Sequence, residues 1–115
     1  MDGVRCVLVL DVSQLRNVTL DDEALMREVV DALVSDAAQH IAELRRAVER
    51  GDLQACIRVA HNAHGACGNV GAVSMAALFG SLERQAADGD LDLCRGSVEE
   101  LAVELEKLRR EAQSL

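Results

Sequence analysis

From Met26 to Leu108 apolar residues return every three or four positions, and the chain contains no proline to interrupt them. A chain patterned this way carries an apolar stripe along each of several helices and must bury those stripes against one another. The longest stripe collects Met26, Val30, Leu33, Val34, Ala37, Ile41, Leu44 and Val48 between Asp21 and Arg50-Gly51, and predicts one helix with at most one break. Asp52 is placed to cap the next helix, whose apolar side holds Leu53, Cys56, Ile57, Ala60, Ala63, Cys67 and Val70 before Gly71 supplies a stop. A third helix is expected from about Ser74, through Met75, Leu78, Phe79 and Leu82, to the break at ADGD. The last starts near Asp90 and carries Leu91, Cys94, Val98, Leu101, Leu105 and Leu108.

Ahead of these, DVSQLRN reads as a short helical turn capped by Asp11 or Ser13, and residues 1–10 as an extended lead-in in which Val4 to Leu10 would find no partner strand. The connections are short, which favours antiparallel neighbours. The expected fold is therefore all-α: an antiparallel up-and-down four-helix bundle with a short extra N-terminal helix across one end, forming one domain over residues 1–115. Phe79 is the only aromatic residue, so the core must be built from aliphatic side chains.

A formal charge of -8 argues against nucleic acid or an anionic membrane surface as partner, since both reward a basic face. Val7 to Leu10 is too short an apolar run for a transmembrane helix and lacks the flanks of a signal peptide, so a cytoplasmic location is expected. Cys6, Cys56, Cys67 and Cys94 show no CxxC spacing and read as reduced, small apolar fillers. His61, His64 and Cys67 step by three around a helix and diverge, so no metal site is expected.

The segment AHNAHGACGNVGA, residues 60–72, conflicts with its own helix. Gly65 and Gly68 each cost a helix interior about 1 kcal/mol relative to Ala. Gln54, Arg58, His61, Gly65 and Gly68 fall along one stripe, while Ala60, Ala63 and Cys67 point into the bundle. His61 thus belongs on the solvent side, beside positions stripped of side chains. From Leu53 to Leu82 there is no Asp or Glu, although the chain holds 20, and the exposed residues there, Gln54, Arg58, Asn62, His64 and Asn69, predict a face free of negative charge. An exposed imidazole on such a face can accept a phosphoryl group, and the glycines would let another protein close around the ring. His40, a lone histidine on a helix, reads as an ordinary surface residue.

These residues resemble the histidine-containing phosphotransfer (HPt) family. The likeness rests on His61-Asn62-Ala63-His64-Gly65, on Gly71-Ala72, Met75, Leu78 and Leu82-Glu83, on Gly89-Asp90, and upstream on LDVSQLRN, DDEALMREVV and SDAAQHIAELRRAVERGDLQ. It spans nearly the whole chain. The resemblance implies a phosphorelay intermediate of two-component signalling with His61 as phospho-acceptor, most plausibly at Nε2, and with His64, Gly65, Arg58, Gly68 and Asn62 contacting phosphate or partner. It implies response-regulator receiver domains and a hybrid histidine kinase as partners, Mg²⁺ supplied by the receiver, no cofactor of its own and a monomeric state. The sequence departs from the family pattern where His64 replaces the usual Lys, exchanging a fixed charge for a titratable one, and where Val34 replaces an aromatic in the long helix. An enzyme with its own ATP site is disfavoured, because the chain has no Gly-rich phosphate loop and no GxxxxGK[ST]. The remaining alternative is a helical interaction module without phosphotransfer, in which the glycines merely permit close packing.

Overall fold

Among the described residues, four of the five helices start at an aspartate whose carboxylate accepts a backbone N–H three residues on, which satisfies one of the donors a helix start leaves free. Asp11 accepts from Gln14 ahead of α1 (Val12–Val18), Asp22 from Leu25 ahead of α2 (Glu23–Arg50), Asp52 from Ala55 ahead of α3 (Leu53–Val70) and Asp90 from Leu93 ahead of α5 (Leu91–Gln113). The exception, α4 (Val73–Ala87), follows Ala72 with no side-chain cap. Gly51 and Gly71, with φ of 68° and 92°, end α2 and α3 in the left-handed conformation. The computed structural model describes residues 9–115. Cys6 and all but the end of the extended lead-in fall outside that range, and at the end of the lead-in Leu10 is buried in the core.

Helix α2 runs unbroken for 28 residues. It packs on α3 and α5, and α4 packs on the same two, so the four long helices close into a ring around one aliphatic core. Leu44, Met75, Phe79, Leu82, Leu101 and Leu108 are fully buried at its centre. Val34, Leu53, Ile57, Leu78 and Leu91, all expected in the core, sit at its margin instead. Small residues, Ala47, Ala55 and Ala76 among them, take the interior positions and let the helix backbones approach. Among the described residues no helix is long and apolar enough to cross a membrane.

The three described cysteines are free and buried. Burial raises all three thiols above their ordinary range, Cys67 and Cys94 to about 11, with Cys56 and Asp90 adding to the effect at Cys94. They remain protonated near neutral pH and act as apolar fillers. His40 departs from its expectation as an ordinary surface residue: it is half-buried, with Nδ1 3.3 Å from Glu43 Oε1 and its ring edge-on to Phe79 at 6.5 Å. The helix period put it at the edge of the solvent face, and the inward neighbour, on α4, was not visible from α2 alone.

Helix α1 lies against the C-terminal end of α3, which it caps from outside. The Asp11 N–H donates to the Gly71 carbonyl at 2.7 Å, and Gln14 Nε2 donates to the Gly68 carbonyl at 2.6 Å. These bonds occupy carbonyls that the helix end would otherwise leave to water. A Cβ on Gly71 would stand 2.7 Å from the Asp11 carbonyl oxygen, whereas one on Gly65 or Gly68 would meet nothing within 4 Å. The glycines of one motif therefore serve different ends. Gly71→Ala should lower the free energy of unfolding by about 2 kcal/mol, through left-handed strain and the clash with α1, while Gly65→Ala should raise it by up to about 1 kcal/mol. Urea unfolding of both variants checks the opposite signs.

Candidate phosphoryl-acceptor site on α3 and α4

The pairing of α3 with α4 is the most extensive in the bundle, and the buried residues of the two helices include several small ones, Ala60, Ala63 and Cys67 in α3 and Ala76 and Gly80 in α4. A residue on the edge of α4 can reach the exposed face of α3. Glu83 does so. Its Oε2 lies 3.0 Å from His61 Nδ1 and its Oε1 4.0 Å from His64 Nδ1, so one carboxylate faces both imidazoles. The His61 side chain is 71% exposed, and Glu83 only 28%.

A carboxylate only accepts hydrogen bonds, so the contact places the His61 proton on Nδ1. In the neutral ring that leaves the lone pair on Nε2, the nitrogen turned away from Glu83. The arrangement is an exposed nucleophile whose tautomer and orientation are fixed by a less exposed partner.

Arg58, Gly65 and Gly68, predicted from the helical stripe, and Asn62, expected on the exposed side, are all exposed on α3 with His61. His64 is set differently. Its ring leans across α4, with Cε1 3.3 Å and Nδ1 3.5 Å from the point where a Cβ on Gly80 would stand, and its side chain is 49% exposed. Among the described residues no group of three or more His, Cys, Asp or Glu side chains gathers as a metal-binding set.

Comparison with known proteins matches the Hpt domain family model to residues 28–111. The chain belongs to the Hpt domain family. It is a phosphorelay intermediate of two-component signalling. Its structure is similar to that of histidine-containing phosphotransfer protein B (HptB) from Pseudomonas aeruginosa PAO1, at 27% identity and a TM-score of 0.83, covering 93% of this chain and 96% of that one. It is also similar to a rice chain assigned as a histidine-containing phosphotransfer protein, at 21% identity and a TM-score of 0.81, covering 91% of this chain and 79% of that one, a likeness that shows the fold. No curated protein matches the sequence.

Within this Hpt domain the expectation of a face free of negative charge is overturned. The acid-free run ends at Leu82, and the next residue, Glu83, folds back onto His61. An antiparallel hairpin of helices brings residues 22 apart together, and the acid-free run covers α4 only as far as Leu82, one residue short of the carboxylate that turns back. The available signal was Leu82-Glu83 itself, which the family pattern includes and which marks a glutamate at the α3-facing edge of α4.

If Glu83 sets the tautomer, Glu83→Ala should release the Nδ1 proton and let the Nε2–H form of His61 appear, visible in the ring ¹⁵N shifts. Phosphorylation of His61 should slow on the order of 10-fold, while Glu83→Gln, whose amide oxygen still accepts from Nδ1–H, should stay closer to the unsubstituted chain.

Proposed function

We propose that this Hpt domain carries its phosphoryl group on Nε2 of His61, taking it from the phospho-aspartate of one receiver domain and giving it to the aspartate of another. The observation that carries the reading is the 3.0 Å contact between His61 Nδ1 and Glu83, which leaves Nε2 as the free base. In the forward step the Nε2 lone pair attacks phosphorus, the bond from phosphorus to the aspartyl oxygen breaks, and its electron pair leaves with the carboxylate. The ring gains positive charge, and the Nδ1 proton stays in place facing Glu83. In the return step an aspartate oxygen attacks phosphorus and the P–N electron pair goes back to Nε2. No proton need move in either direction.

The chemistry that loosens the phosphoryl group belongs to the partner. The one carboxylate beside His61 is engaged by Nδ1, and the Mg²⁺ of the reaction is assigned to the receiver. This chain is then a phosphocarrier without a kinase or ATP site of its own, a cytoplasmic monomer fed through a hybrid histidine kinase. Arg58, Asn62, Gly65 and Gly68 form the ground on which the receiver settles, and His64 stands at its border with α4. Open space over Gly65 and Gly68 supports this over a packing role, because neither glycine is needed for any contact within the molecule.

Incubation with a phosphorylated receiver should label the chain with an acid-labile, base-stable phosphoryl group. His61→Gln should abolish the label with unchanged helicity, and His64→Gln should retain it. Label persisting in His61→Gln and lost in His64→Gln would reverse the assignment. Gly65→Gln separates access from packing. A helical side chain leans over the turn before it, so a Gln at 65 covers His61. Thermal unfolding should rise by the equivalent of up to about 1 kcal/mol while transfer falls sharply, and a destabilised variant would sink the open-platform account.

A further inference from the structure

A phosphoryl group in transit carries negative charge, and on a chain of net charge -8 it arrives beside a carboxylate, Glu83. Some fixed cation must face it. Gly80 marks where one is. The point at which a Gly80 Cβ would stand lies 3.3 Å from His64 Cε1 and 3.6 Å from Arg84 Nη1, so the missing side chain leaves a notch in α4 that an imidazole and a guanidinium enter from two sides. Arg84 is one helical turn beyond Gly80, and its side chain runs back over that turn. Its Nη2 donates to Ser81 Oγ at 3.2 Å, a neutral partner, and among the described residues no carboxylate lies within 4.0 Å of the guanidinium. Arg16, Arg45, Arg50, Arg95 and Arg109 are each paired with an acid; among the described residues Arg84 shares its freedom from one with Arg58 and others, but it is the one that enters the Gly80 notch with His64.

We propose that Arg84, reaching through the notch at Gly80, is the fixed cation that holds the phosphoryl group during transfer at His61. This rests on His61 as acceptor. Glu83 faces both imidazoles, and the Arg84 head group shares the Gly80 notch with the His64 ring, which sets a guanidinium on the α4 side of the same histidine pair. A guanidinium keeps its charge at every functional pH and offers paired N–H donors that match two phosphoryl oxygens. The hydroxyl of Ser81 is a contact it can release without exposing a buried charge, since Arg84 is exposed.

The test measures transfer from an acetyl-phosphate-charged receiver domain with Mg²⁺, over a range of receiver concentrations, for the unsubstituted chain, Arg84→Ala, Arg84→Lys and Arg95→Ala. Arg84→Ala should lower the maximal transfer rate about 10-fold with the half-saturating receiver concentration changed less than about 2-fold. Arg84→Lys should recover part of the loss, and guanidinium ion added to Arg84→Ala should restore rate in a saturable way. Arg95→Ala, which makes the same change in net charge on α5, should match the unsubstituted chain. An Arg84→Ala rate equal to the unsubstituted chain, or a loss confined to the half-saturating concentration, would overturn the proposal. Absence of label on the unsubstituted chain would instead overturn His61 as acceptor and this proposal with it.

Discussion

The closeness of α3 to α4 is the constraint on which the site depends. Short residues are buried on both helices, Ala60, Ala63 and Cys67 on α3 and Ala76 and Gly80 on α4, and Glu83 reaches over the edge of α4 to His61 Nδ1 at 3.0 Å. Larger residues along the seam would separate the axes, since helix spacing follows the side chains at the contact. His61 would then be one more solvated histidine with either tautomer open to it. Packing in the core thus fixes which nitrogen can act at the surface.

The same seam explains why one short motif contains glycines of different kinds. Gly71 is held by backbone geometry: a left-handed φ of 92° and the Asp11 carbonyl against its α-carbon. Gly80 is crowded rather than blocked, since a Cβ there would stand 3.3 Å from the His64 ring and 3.6 Å from the Arg84 guanidinium, both ends of side chains that can shift. Gly65 and Gly68 are held by nothing inside the molecule, and their helix would be more stable without them. A destabilising residue retained where the fold does not use it is most simply understood through what must approach from outside.

The architecture was legible in the sequence because period and punctuation agreed. Stripes at three- and four-residue steps, with Asp11, Asp52 and Asp90 at helix starts and Gly51 and Gly71 at stops, identify both the helices and their order. The residues of α3 that share a face with His61 were legible for the same reason, since one helix's period determines its own surface. What one helix's period does not carry is the rotation of its neighbour. Glu83 meets His61, and Gly80 lies against the His64 ring, from α4, and Phe79 stands edge-on to His40 from the same helix. The acid-free run from Leu53 to Leu82 misled because it stops one residue before Glu83, and position along the chain does not say that Glu83 turns back onto α3. Gly71 was read correctly as a stop, but its second role, receiving α1, depends on a contact between residues 11 and 71 that no local pattern reports.

A carboxylate next to the proposed phosphoryl acceptor looks at first like a mistake in charge. Its sign makes sense once the charge is followed through the reaction. When Nε2 bonds to phosphorus the imidazole becomes cationic, and Glu83, already within hydrogen-bonding distance of the Nδ1 proton, faces the ring as that charge develops. The carboxylate therefore favours the phosphorylated ring at the nitrogen remote from phosphorus, where it repels the phosphoryl oxygens least. Its partial burial strengthens the interaction, since a 28% exposed carboxylate is screened less than a free one. The ring itself remains 71% exposed, so nothing on this chain encloses the phosphoryl group. A carrier has to work in both directions, and a site that gripped the group from all sides would lower the bound state and slow its release. Stabilising the ring from behind, with no more than the proposed Arg84 contact on the phosphoryl side, leaves that side accessible to the partner and reconciles acceptance with donation.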